Sequence, residues 1–167
     1  MKQIYNKQTK VADLINDSAE VPGEWTEQHP RWCEFEAWDL QNDCWGISFD
    51  LIKEKKKKDI TQAFDNELSN GKFMSAVLGI EVDYRRGANK NDMQNVQALI
   101  SYMERNEVDS VTYRGADHHA EATLGDLKTL LHEMEDYGLY LYQKKWSVRD
   151  AASRCETQEE LDLVNWE

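Results

Sequence analysis

From Leu124 to Lys145, apolar and small side chains return at three- and four-residue steps: Leu124, Leu127, Leu131, Met134, Gly138, Leu141 and Lys145, with Leu130, Tyr137 and Trp146 widening the same face. Only a 3.6-residue repeat puts these positions on one side, so the segment reads as an amphipathic helix of about 22 residues, roughly 33 Å long. Thr123 stands where an N-cap oxygen is needed, and Asp126 at the third helical position can return the bond. A stripe of this length must be covered by something. The sheet expected beside it is small, so Leu127, Leu131, Met134, Gly138 and Leu141 are candidates for a homo-oligomer seam, with Gly138 permitting another backbone to cross closely.

The neighbouring segments supply the rest of an α+β domain. Met93, Val96, Ile100 and Met103 fall at helical spacing, with Leu99 beside them and Asn91 or Asp92 as N-cap, which predicts a helix over 92–104. Ile80, Val82 and Tyr84 alternate with Glu81, Asp83 and Arg85, predicting a strand over 79–86. Further strands are expected over 109–114 and 118–122. The strand over 79–86 is expected beside that over 109–114 with the two helices on one face, a spacing that suits a right-handed crossover if the two strands are parallel. Two short helices, in VRDAASRC and TQEELDLVNW, close the chain, the second opened by a Thr157–Glu160 capping box.

The first fifty residues have a different texture. They contain both prolines, Pro22 and Pro30, which argue against a helix, and a Gln41-Asn42-Asp43 turn signal between WCEFEAWD and CWGISFD, which read as a hairpin. Leu51, Ile52, Ile60, Phe64 and Leu68 then share a stripe that Asn70-Gly71 ends, predicting a helix over 51–69. The organisation expected is an aromatic strand-rich region over 1–50, a connecting helix over 51–71 and an α+β domain over 72–167, with a fragment from about residue 72 folding alone. At 167 residues the chain can bury one modest core. Trp25, Trp32, Trp38 and Trp45 crowd into segments too short to bury them fully, so they serve either as a small core or as a contact surface.

Charge and chemistry narrow the function. Twenty Lys and Arg against 32 Asp and Glu give a formal charge of -12, which repels phosphate backbones and anionic membranes. No nucleic acid or membrane partner is therefore expected. Lys55–Lys58, the one basic run, spreads around a helix as a collar between Glu54 and Asp59. Apolar runs reach four residues at most and MKQIYNKQTK lacks a signal-peptide stretch, so an unexported protein is expected. Cys33, Cys44 and Cys155 are too sparse for a disulfide framework. His29 with Cys33, and adjacent His118 and His119, lack the second close pair that structural zinc uses. A Cys33 or Cys44 nucleophile with His29 would sit among Glu34, Glu36 and Asp43, which disfavour a thiolate. G-x-S-x-G, Walker A and G-x-G-x-x-G patterns are absent. The expectation is a non-enzymatic protein with no cofactor and no metal.

The second half also carries an ordered set of patches: D-x-R-R in a strand, N-D-x-x-N-V at a helix start, V-T-Y-R, T-L-x-D-L opening the long helix, K-K-W, and A-x-x-C-E-T-x-E-E-L before a terminal Trp. Over about residues 78–166 these resemble the domain of unknown function DUF4376, found in tailed bacteriophages and prophages, often in tail-associated and tail fibre assembly proteins. IYNKQTK, EVPGEWTEQHP and the W-x6-W hairpin are similar to the opening of many phage tail proteins, though Cys33 and Cys44 depart from that pattern. The resemblance implies a structural or assembly accessory that binds phage tail or tail fibre polypeptides in the host cytoplasm during assembly or in the virion tail. It brings no catalytic residues. Asp92, Asn95 and Arg114 match its polar signature and read as cap and buried hydrogen-bonding groups joining helix to strand. A different class, an acidic phage protein that inhibits a host nucleic-acid-binding enzyme by mimicry, is open on charge alone.

Overall fold

The computed structural model describes residues 1–28, 30, 35–87 and 90–167, and over these the protein is a mixed α+β fold with a strand-rich N-terminal region, small antiparallel sheets and helices. It divides into two compact units, Met1–Lys56 and Lys57–Glu167. His29, Trp32, Cys33 and Glu34 lie outside the described residues.

In the first unit, β1 (Lys2–Asn6) is flanked by β2 (Ala12–Ile15) and β3 (Trp25–Thr26), both antiparallel to it. Asn6 makes the β1–β2 turn: its Oδ1 accepts from the backbone N–H groups of Gln8 and Thr9 at 3.0 and 2.8 Å, and Lys10 adopts a left-handed φ of 61°. The described part of the expected hairpin pairs β4 (Glu36–Asp39) with β5 (Cys44–Ile47), Trp38 opposite Trp45. Its turn is built on the Asp39 carboxylate, which accepts from the Asn42 side chain at 2.7 Å and from the backbone N–H groups of Gln41 and Asn42. Those bonds, led by the Asn42 amide, hold the carboxyl below its ordinary range.

Helix α1 (Phe49–Asn70) begins in the first unit and continues into the second. There follow β6 (Gly71–Met74), β7 (Glu81–Tyr84), the two-residue strands β8 (Arg86–Gly87) and β9 (Lys90–Asn91), α2 (Asp92–Asn106), β10 (Ser110–Arg114), β11 (His119–Thr123), α3 (Leu124–Arg154) and α4 (Gln158–Asp162). The expected side-by-side pairing of 79–86 with 109–114 does not form. Instead β6 pairs antiparallel with β7, and β10 with β11. A distant residue holds the β6–β7 connection: the Glu133 carboxylate accepts from Ser75 Oγ at 2.6 Å and from the backbone N–H groups of Ala76 and Val77 at 3.1 Å. A Gly115 N–H to His118 carbonyl bond of 2.9 Å does the same between β10 and β11. The two hairpins meet where Ala116 N–H donates to the Glu81 carbonyl at 2.8 Å and Gly115 lies against Ile80.

The Thr123–Asp126 capping box is present, with Asp126 N–H to Thr123 Oγ1 at 3.2 Å and the Asp126 carboxylate accepting from Thr123 N–H at 2.9 Å. From there α3 runs 31 residues, through the break expected after Trp146, because VRDAASR contains no glycine or proline to end it. The expected separate helix in VRDAASRC is thus the end of α3.

The stripe expected to form a homo-oligomer seam is instead buried within the chain. Leu127, Leu130, Met134 and Leu141 have no exposed surface, and Leu131 packs partly buried on the same core with Val82, Val96, Ile100 and Met103. The stripe is covered by the chain's own strands and helices. Gly138 admits a side chain rather than a second backbone: a Cβ there would collide with Tyr84 Oη. The 51–71 segment does more than connect, since Phe64 is buried against Tyr142 and Trp166, at ring separations of 4.9 and 6.2 Å, and Leu68 packs on the same core.

Two outcomes are expected. Gly138→Ala should destabilise by about 1–3 kcal/mol, the usual cost of overfilling a packed core, but should turn neutral or favourable in a Tyr84→Phe background, where alanine's helix preference of about 1 kcal/mol prevails; urea midpoints of both singles and the double decide this. A fragment beginning at Lys57 should unfold cooperatively by itself, whereas one beginning at Lys72, deprived of Phe64 and Leu68, should lose most of that transition in circular dichroism melts.

Candidate functional site

The sequence offers four tryptophans as contact candidates, and the structure brings two of them together. Trp38 and Trp45 meet edge to face, ring centroids 5.2 Å apart and planes at 88°. Trp45 is buried and its Nε1–H donates to the Gln28 carbonyl at 2.9 Å, which anchors the β4–β5 hairpin to the segment after β3. Trp25 sits half-buried in β3, apart from the cleft lining, and Trp32 lies outside the described residues.

The paired indoles wall a cleft of about 550 Å³ whose rim includes Leu40, 87% exposed, and Leu51, 39% exposed. That volume lies within the usual range of ligand sites. Sequence reasoning missed the lysines that complete it. Lys7 Nζ lies 4.5 Å from the Trp38 ring centroid and Lys10 Nζ 5.7 Å from that of Trp45. Lys10 faces the buried Glu36 carboxylate at 3.8 Å, and Lys7 faces Asp43 at 3.3 Å. The signal was the Asn6 turn, which folds 7–10 back beside the hairpin, but a turn residue does not say which sheet its neighbours reach. On the opposite face of the hairpin, Ala37 and Gly46 leave a smaller depression of about 220 Å³.

In the second unit the expected polar signature separates. Asp92 is buried and binds Arg85 three times: from Nε at 2.9 Å, from Nη2 at 3.2 Å and from the backbone N–H at 3.0 Å. This ties the end of β7 to the start of α2, whose N-cap is Asn91. The Asp92 bond pushes the Arg85 guanidinium pKa further up. Asn95 and Arg114, by contrast, are exposed, so neither is a buried hydrogen-bonding group. Beside the pair, Tyr113 is pushed up to about 12, first by burial and then by the charges of Asp92 and Asp83.

His118 and His119 are exposed on either side of the β10–β11 turn. Cys44 and Cys155 are free thiols, and Cys155 is buried. Among the described residues no three His, Cys, Asp or Glu side chains are grouped to hold a metal ion, and no helix is long and apolar enough to cross a membrane. Comparison of the chain with protein-family models, with curated proteins and with solved structures finds no match.

The Tyr113 environment sets an alkaline limit. The fold favours the neutral phenol, so its contribution is complete below about pH 10 and is lost as the pH rises from about 10 to 12, where the unfolded chain gives up the proton first. Urea midpoints taken at pH 9 and about pH 11 should fall less in Tyr113→Phe than in the unmodified protein, with a residual fall from Tyr137, which burial likewise pushes to about 12.

Proposed function

We propose that this protein is a non-catalytic binding module whose first unit docks a polypeptide in the Trp38–Trp45 cleft. On the resemblance of its sequence, the partner is a phage tail or tail fibre polypeptide, met in the host cytoplasm during assembly or kept in the virion tail. The observation that carries the docking reading is the cleft itself, where two tryptophans and an almost fully exposed leucine surround about 550 Å³. Paired indoles match the composition of a contact core, in which a few aromatic anchors carry most of the energy, and the exposed Leu40 extends their apolar surface. The apolar stripe of α3 is spent inside the chain, which leaves the aromatic cleft as the better-supported contact surface.

Co-purification of the intact protein from infected cells, read by mass spectrometry, tests the partner: tail polypeptides support the reading, and a host nucleic-acid enzyme in their place favours acidic mimicry. Leu40→Ser should weaken the recovered complex fivefold or more while leaving the urea midpoint unchanged, since Leu40 supports nothing in the fold. Trp45→Ala should instead cost about 3–5 kcal/mol of stability, as emptied aromatic sites do. Full partner recovery by Leu40→Ser would move docking elsewhere.

A further inference from the structure

We propose that the cleft selects an acidic, apolar stretch of polypeptide, one that presents a large hydrophobic side chain beside a carboxylate; this rests on the cleft being the docking site. The apolar half of the specificity comes from Trp38, Trp45, Leu40 and Leu51. The charged half comes from Lys7. Its ammonium stands over the Trp38 ring and pairs with Asp43, whose side chain is 78% exposed. The Lys7 side chain is 22% exposed, so it is the carboxylate side of the pair that lies open to water, and there the ammonium can exchange Asp43 for an incoming carboxylate. Lys10 plays a different part: the Glu36 side chain it faces is 1% exposed, which keeps that pair in the wall of the cleft.

The surroundings favour an anion for two further reasons. Residues 1–12 contain Lys2, Lys7 and Lys10 and no acid, and of the carboxylates the fold sets against them, Glu27, Asp43 and Glu36, the one facing Lys7 is the most exposed, at 78%. A cationic side chain would also find an ammonium already over each indole, at 4.5 and 5.7 Å, where its own attraction to the ring would have to be made. The cleft thus rewards an apolar group with a carboxylate beside it that can reach Lys7, while a cation finds both indoles already faced by an ammonium.

Three capped tetrapeptides test this by quenching or shift of tryptophan fluorescence in the full-length protein: Leu-Phe flanked by two glutamates, by two glutamines and by two lysines. The glutamate peptide should bind about fivefold more tightly than the glutamine peptide, the value of one exchangeable ion pair, and the lysine peptide most weakly. Lys7→Gln should abolish the difference between the first two, whatever it does to the affinity common to both, and Lys2→Gln, outside the cleft lining, should change neither. Asp43→Asn, which frees Lys7 and suits the left-handed backbone at this position, φ 49°, should enlarge the glutamate preference. Equal binding of glutamate and glutamine peptides to the unmodified protein, or a difference that survives Lys7→Gln, overturns the charge selection and leaves docking standing. Absence of binding by all three peptides at millimolar concentration overturns docking itself.

Discussion

Tyr84 reaches from β7 until its hydroxyl stands over Gly138, a place on the buried face of α3 where no side chain intervenes. That contact sets how close the β6–β7 hairpin lies to the helix, and a chain of rings is built outward from it. Tyr84 meets Tyr137 edge to face at 5.1 Å, and Phe73 of β6 stacks on the other side of Tyr137 at 5.2 Å. The Tyr137 phenol donates to Glu67 Oε1 at 3.3 Å, and the Trp166 indole donates to Glu67 Oε2 at 2.6 Å. One carboxylate on α1 therefore receives both the middle of α3 and the end of the chain. Two-stranded hairpins are marginal in water when alone. Here β6–β7 persists because a close approach at Gly138 lets both its strands place an aromatic ring against α3.

Register is fixed at the other end of the same helix. Thr123 closes β11, paired with Ser110, and its hydroxyl caps α3. A one-residue slip in the hairpin would turn Ala122, buried without exposed surface, toward solvent and take the cap away from Asp126. Strand pairing and helix start are thus one decision. Asp92 performs a related task between β7 and α2, by binding the Arg85 backbone and guanidinium together from the first residue of the helix.

These devices explain what the sequence disclosed and what it withheld. Helices α2, α3 and α4 were legible because a 3.6-residue stripe and a capping residue are both local, and Asn91, Thr123 and Thr157 do cap them. The hairpin turn at Asp39–Asn42 was legible for the same reason. Strand partners were not, since alternation in IEVDY states that one face is buried and is silent about which neighbour supplies the hydrogen bonds. Glu133 decided that, from 56–58 residues away. The α3 stripe misled for a related reason: periodicity reports a covered face without reporting the cover, and the β6–β7 connection and α1 were not visible as its lid. In the cleft, the tryptophans announced themselves by their size, whereas Lys7 and Lys10 looked like ordinary surface charge until the Asn6 turn placed them over the indoles.

A formal charge of -12 and the anion selection proposed for the cleft are compatible once distance is considered. At physiological ionic strength the screening length is about 8 Å, so exposed acids farther away than that contribute little at the cleft. Lys7 Nζ is 3.3 Å from the carboxylate it already holds, well inside that length. The ligand's affinity is therefore decided by the nearest charges, while the net charge of the protein acts at the stage of approach, where it slows an acidic partner and offers it no long-range steering. Such an arrangement trades speed of encounter for discrimination at contact. It suits a partner held at high local concentration, as neighbouring chains in an assembly are, better than one that must be found by diffusion from a dilute pool.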